Sequence, residues 1–203
     1  MQLYAITDRR LFPTPAALLE QARLWAAGGV QFLQIREKDL APHELAPLAA
    51  AIVRAVRGSR TRVLLNGPAS LAAETGCDGV HLPSGLPPSA IAGAAAAFVA
   101  KPDPAIVSIS CHTLAEVEAA RRYRATLILF APVFEKRLPE KSAPGKGLEA
   151  LAAACRLAAP VPVFALGGVT AENAQDCLAA GAAGIAAIRL FASGNWRSLD
   201  AHS

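Results

Sequence analysis

Pro162-Val163-Phe164-Ala165-Leu166-Gly167-Gly168-Val169-Thr170-Ala171-Glu172-Asn173 is the stretch around which the chain is organised. A short apolar run ends in two glycines. Thr170 then stands where it can cap a new helix, with Asn173 three residues on. The stretch reads as a buried strand, a turn and a helix start. Residues without side chains let the backbone approach a ligand, and unpaired amides beside a helix N-terminus attract an anion. A Gly-Gly pair after a strand serves equally well as a tight turn. What favours a phosphate cradle is a second stretch of the same kind one helix later, Ala182-Ala183-Gly184-Ile185-Ala186-Ala187-Ile188-Arg189. The last two strand ends of a β/α barrel are a common phosphate site.

Working outward, strand-like runs begin at Leu3, Val30, Arg62, Gly76, Ala105 and Ala125, and helical patterns separate them. The second run extends from Val30 to Asp39. Pro15 to Ala27 carries Leu18, Leu19, Ala22 and Trp25 at helical spacing, and Gly28-Gly29 ends it. With the opening stretch and its repeat, about eight strands alternate with helices. That pattern predicts an α/β fold, a small single-domain (β/α)8 TIM barrel over 1–203, whose closing helix after Ser193 is shortened or missing. No GxGxxG follows the first strand, which disfavours a dinucleotide-binding sheet.

Composition narrows the partners. Of 203 residues, 53% are hydrophobic and few are aromatic, which predicts a core of Ala, Leu, Val and Ile. The net charge of +4 is spread through several loops, so a small anionic substrate is expected and nucleic acid is not. The Ala-rich run from Ile91 to Ala100 is too short to span a bilayer, so no membrane association is expected. Cys77, Cys111, Cys155 and Cys177 show no CxxC spacing and the first residues read as a strand, which points to the cytoplasm. A homodimer is left open.

The polar residues at strand ends are the candidate site. Gln34, Arg36 and Lys38 alternate and so share one side, where Arg offers a bidentate clamp for phosphate or carboxylate. The bland reading of Arg36-Glu37-Lys38-Asp39 is a solvated loop. Asn66 can donate and accept at the third strand end, or simply precede a turn at Gly67. His81 reads as a hydrogen-bonded strand histidine, ahead of any catalytic role. Thr113 with Glu116 forms a capping-box pattern, which puts His112 at a strand-to-helix corner. An imidazole there can carry protons near neutral pH. Cys111 points into the wall. The longest loop, Ala131 to Gly147, mixes charge, Pro and Gly, and predicts a mobile segment that brings Lys141 to a bound phosphate or makes only a surface excursion.

Taken in order, Leu3-Tyr4-Ala5-Ile6-Thr7-Asp8, Gln34-Ile35-Arg36-Glu37-Lys38, Leu65-Asn66-Gly67, Asp78-Gly79-Val80-His81-Leu82, Ser110-Cys111-His112-Thr113, Ala131-Pro132-Val133-Phe134 and Ala165-Leu166-Gly167-Gly168-Val169-Thr170 resemble the thiamine phosphate synthase and thiazole tautomerase superfamily. The resemblance covers nearly the whole chain. It implies a small barrel acting on a thiazole phosphate in thiamine biosynthesis. The synthase branch joins a pyrimidine diphosphate to that substrate and holds magnesium with an Asp after the third-strand Asn and another after a Gly-Gln pair following strand four. Here Gly67 and Pro83-Ser84-Gly85 stand at those places. They resemble the tautomerase branch, which isomerises a carboxythiazole phosphate without a metal.

That branch implies His112 as acid/base and no cofactor; magnesium enters only with the synthase alternative. It further implies a phosphate on Gly167, Gly168 and the backbone of Ile188 and Arg189. Gln34, Arg36, Lys38, Asn66, Ser110 and Lys141 would contact the substrate. A third alternative is a non-catalytic protein that binds a thiazole or thiamine phosphate. Two departures stand out: Arg189 where the family has a small residue, and a loop of different length around Lys141.

Overall fold

The computed structural model describes residues 1–98, 103–138 and 141–202. Eight parallel strands close into a barrel: β1 (Gln2–Ile6), β2 (Phe32–Ile35), β3 (Arg62–Leu65), β4 (Gly79–Leu82), β5 (Ile106–Cys111), β6 (Leu127–Phe130), β9 (Val163–Leu166) and β10 (Gly184–Ala187). They pair in that order and β10 returns to β1. The register runs, for example, from Tyr4 to Phe32 on one side and from Tyr4 to Ala186 on the other. Helices α1 (Pro15–Ala27), α2 (Pro42–Ala55), α3 (Ala69–Glu74), α4 (Pro88–Ala96), α5 (Leu114–Arg122), α6 (Gly147–Ala158), α7 (Ala174–Ala179) and α8 (Arg189–Ala192) follow the barrel strands.

Each strand is buried on both faces, so its alternation separates two apolar layers. Leu3, Ala5, Val63, Leu65, Val107 and Ile109 pack outward against the helices. Tyr4, Ile6, Leu127, Leu129, Phe164 and Ala186 point to the barrel axis. There three rings meet: Tyr4 lies 5.7 Å from both Phe32 and Phe164, and Phe32 lies 5.5 Å from Phe164. Three of the sparse aromatics thus occupy the centre of the barrel, where the composition predicted Ala, Leu, Val and Ile.

Local signals explain the helix ends. Thr14 caps α1 by accepting from the Ala17 amide, and α1 stops at Gly28, where an added Cβ would lie 2.2 Å from the Trp196 ring. The closing helix α8 is four residues long. Beyond it a 3-10 segment, Asn195–His202, buries Trp196 and Leu199, and the Trp25 indole N–H donates to the Phe191 carbonyl at 3.2 Å. The C-terminal end therefore supplies packing that a full closing helix would otherwise give.

Three expectations are corrected. The second strand ends at Ile35, because the Glu37 side chain turns back to Thr7 and draws the backbone out of the sheet. Thr170 does not cap the seventh helix; α7 begins after Asn173, whose amide accepts from Thr170 N and donates to Gly168 O. The loop from Ala131 to Gly147 contains an antiparallel ribbon, β7 (Lys136–Leu138) and β8 (Lys141–Ala143). Both ends of this loop are fixed: Val133 N donates to Leu166 O, Phe134 N to Gly167 O, and Gly147 N to Val133 O. Among the described residues no helix is long and apolar enough to cross a membrane.

Candidate active site

The carboxyl ends of the strands gather the polar residues. On β5 the period of two sends Ser108 and Ser110 toward the axis, with His112 next on that side, while Cys111 faces the wall and is buried. Burial pushes the Cys111 thiol up to about 12, which removes it as a nucleophile. The capping box forms as the pattern implied: Thr113 Oγ1 accepts from Glu116 N, and the Glu116 carboxylate accepts from the amides of Thr113 and His112.

This holds the exposed His112 at the corner, where Nδ1 lies 2.8 Å from the Ala131 carbonyl. A carbonyl only accepts, so Nδ1 carries the hydrogen and the lone pair of the neutral ring is on Nε2.

Beneath it lies a row of buried hydrogen bonds. Asn66 Nδ2 donates to Gln34 Oε1 at 3.5 Å, and Gln34 Nε2 to the Tyr4 hydroxyl at 2.9 Å. Tyr4 donates to Ser108 Oγ at 3.4 Å. The two nitrogens of His81 contact Ser108 Oγ at 2.8 Å and Ser110 Oγ at 2.9 Å. The row brings Gln34, Asn66 and Ser110 together, and His81 is the hydrogen-bonded strand histidine expected. Tyr4 was missed, because nothing in Leu3-Tyr4-Ala5-Ile6 reveals which residues face the axis.

Glu37 was missed as well. It is 4% exposed, yet it belongs to a charged string that reads as solvated. Its carboxylate accepts from Thr7 Oγ1 at 2.6 Å and from the Arg9 amide at 3.0 Å, and Thr7 Oγ1 accepts from Arg36 N at 3.0 Å. This strap ties the loop after β1 to the loop after β2 and fixes the backbone that carries Arg36. Arg36 is half-buried and Lys38 exposed, and the positive charge of each disfavours the His81 cation. The side chain of Lys141 lies outside the described residues.

Gly167 and Gly168 have φ of +93° and +66°, and an added Cβ would lie 2.7 Å from Pro132 Cβ and from Phe134 Cβ respectively. Glycine is needed there by backbone conformation and by close packing of the 131–135 segment. Among the described residues, the amides of Gly167, Gly168, Ile188 and Arg189 donate to no protein acceptor. They stand beyond the ends of β9 and β10, neighbours in the barrel with Leu166 opposite Ala186. The Arg189 side chain is exposed.

The donor set does not fit magnesium, which takes hard oxygen ligands. The Asp8 carboxyl is engaged by Arg10 at 2.8 Å, Asp39 by Arg9 at 2.8 Å, and Glu37 by Thr7 and the Arg9 amide. Arg10 holds Asp8 below the usual carboxylate range. Among the described residues no three His, Cys, Asp or Glu side chains converge.

Known proteins are similar to this chain in sequence and in architecture. A protein of Geobacter sulfurreducens, provisionally named a thiamine-phosphate synthase, is 39% identical over 189 residues, covering 92% of this chain and 84% of the relative. The thiamine-phosphate synthase of Methanoculleus marisnigri is 33% identical over 186 residues, covering 92% and 85%. The solved thiamine phosphate pyrophosphorylase from Pyrococcus furiosus superposes with a TM-score of 0.79 at 26% identity, covering 98% of this chain and 94% of that one. The profile of the thiamine monophosphate synthase family matches residues 3–191, from the first strand of the barrel to its last helix, and the chain belongs to that family.

Proposed function

We propose that this chain is an enzyme of thiamine biosynthesis that binds a thiazole phosphate and isomerises its carboxythiazole ring. The observation that carries the reaction is the His112 ring: with Nδ1–H engaged by Ala131 O, Nε2 is a base held at the mouth of the barrel. The amides of Gly167, Gly168, Ile188 and Arg189, without a protein acceptor among the described residues, would take the phosphate, as oriented N–H groups do for anions. Arg189 adds a cation beside them. Arg36 and Lys38 would face the substrate carboxylate, and Gln34, Asn66 and Ser110 would line the ring. Lys141 is assigned to the phosphate by the family resemblance alone.

Isomerisation asks little else of the protein. One proton leaves one position of the ring system and one returns at another, while the electrons stay within the conjugated system. A single neutral imidazole can perform both transfers, and no charge builds on a leaving group.

The second reading is the transferase, and the names of the relatives favour it: they are called thiamine-phosphate synthases. Against it stand Gly67 and the run Pro83-Ser84-Gly85 at the places where that branch carries its metal-binding carboxylates. Two assays separate the readings. Purified chain is given the carboxythiazole phosphate tautomer alone, with ultraviolet absorbance followed with and without chelator. It is then given the pyrimidine diphosphate, thiazole phosphate and magnesium, with diphosphate release followed. Chelator-insensitive isomerisation supports the first reading. Magnesium-dependent diphosphate release without isomerisation replaces it with the second. Tight calorimetric binding with neither turnover makes the chain a binding protein.

A further inference from the structure

We infer that His81 is a positioning residue: with Tyr4 and Ser108 it orders the buried row of hydrogen bonds so that Ser110 presents its hydroxyl hydrogen, as a donor, to the mouth of the barrel. Tyr4, Gln34, His81 and Ser108 are all at most 3% exposed, so water cannot complete their hydrogen bonding from outside. Each hydroxyl has one hydrogen to give.

Gln34 Nε2 donates to the Tyr4 oxygen, so the Tyr4 hydrogen goes to Ser108 Oγ, its other partner. Ser108 must then spend its own hydrogen on His81 Nδ1, 2.8 Å away. With Nδ1 accepting, the ring hydrogen sits on Nε2 and goes to Ser110 Oγ at 2.9 Å. Ser110 keeps its own hydrogen, and among the described residues no acceptor takes it.

The opposite tautomer would give Ser108 two incoming hydrogens and leave its own unspent in a closed interior. Burial and the charges of Arg36 and Lys38 push the His81 imidazole down to about 3, which keeps it neutral with one N–H. Turning the Gln34 amide over would reverse every hydrogen in the row. One ring therefore reports the sense of the whole.

The consequence for the site is a pair of opposite groups on one side of β5. Ser110 offers a hydrogen and His112 Nε2 offers a lone pair, two residues apart and roughly 7 Å along an extended strand. Such a pair selects a ligand with an acceptor atom, a ring nitrogen or carboxylate oxygen, at the Ser110 end. That selection rests on the thiazole phosphate reading; the tautomer does not.

The experiment is a long-range proton–nitrogen correlation spectrum of ligand-free, histidine-labelled protein, with His81 assigned by its loss in His81→Asn. The expected ring has hydrogen on Nε2 and none on Nδ1, unchanged from pH 8 to pH 5. A hydrogen on Nδ1, or a ring that titrates in that range, overturns the inference with no variant needed. In Gln34→Glu at pH 8 the carboxylate only accepts, so it draws the Tyr4 hydrogen and the His81 hydrogen should move to Nδ1. An unchanged ring in that folded variant breaks the link through Tyr4 and Ser108. Failure to isomerise a thiazole phosphate would remove the proposed reaction and leave this spectrum as expected.

Discussion

Replacing His112 by Asn separates chemistry from stability. The imidazole is exposed and makes one side-chain hydrogen bond, from Nδ1 to Ala131 O at 2.8 Å. A bond of that kind contributes about 0.5–1.5 kcal/mol. The Asn amide places an N–H near the position of Nδ1, so much of that contribution is kept. The expected loss is under about 1 kcal/mol, a fall in Tm of less than about 4 °C for a chain of this size. Removal of Nε2, by contrast, deletes the only group assigned to move protons. Positioned acid/base groups typically contribute about 10²–10⁴-fold, or ~2.7–5.4 kcal/mol at ~1.36 kcal/mol per tenfold. Single-turnover conversion of the carboxythiazole phosphate, followed by absorbance, should therefore slow by at least about a hundredfold while the melting curve barely moves. A variant that converts substrate within threefold of the parent would remove His112 from the reaction, whatever its melting temperature.

Three further outcomes follow from the same geometry. Glu37→Gln weakens the charge-assisted bonds from Thr7 and the Arg9 amide and should cost about 1.5–3 kcal/mol in denaturant unfolding; an unchanged midpoint would mean the strap contributes nothing. Gly168→Ala meets a φ of +66° and puts a Cβ 2.7 Å from Phe134 Cβ, so calorimetric affinity for a thiazole phosphate should fall at least tenfold, and retention of affinity would exclude these amides from the phosphate.

The third concerns pH. His81 is held at about 3 against an ordinary 6.5, so the unfolded chain takes up a proton that the folded chain refuses. Its contribution is fully present above about 6.5 and lost as pH falls toward 3, and unfolding free energies at pH 7, 6 and 5 should decline through that window. A flat profile there would contradict the buried neutral ring.

The barrel was legible because its signals are local. α1 matches its predicted span, Pro15–Ala27, since a capping Thr and a terminal Gly bracket one apolar face. The strands were found as apolar runs, but no run says which of its faces meets the axis. Tyr4 acquires its role only when β1 lies beside β2 and across from β5, which brings Gln34 and Ser108 to its hydroxyl. Glu37 looks solvated until Thr7, thirty residues earlier, is placed against it. Thr170 stands where a cap is expected, but Asn173 folds its side chain back onto Thr170 N and Gly168 O and the helix starts only after it, which the pattern does not display. The β7–β8 ribbon has neither an apolar alternation nor a tight-turn dipeptide to announce it. His112, by contrast, was found through its neighbour: the Thr113–Glu116 box marks the corner even though histidine itself carries no positional signal.

The segment after β6 and the glycine turn after β9 are stitched together, Val133 to Leu166 and Phe134 to Gly167. They form one mechanical body, although more than thirty residues separate them in the chain. A ligand that grips the amides of that turn therefore also restrains the root of the ribbon. Occupancy at the barrel mouth should be readable at a distance, as slowed hydrogen exchange at Val133 and Phe134, residues that need not touch the ligand at all.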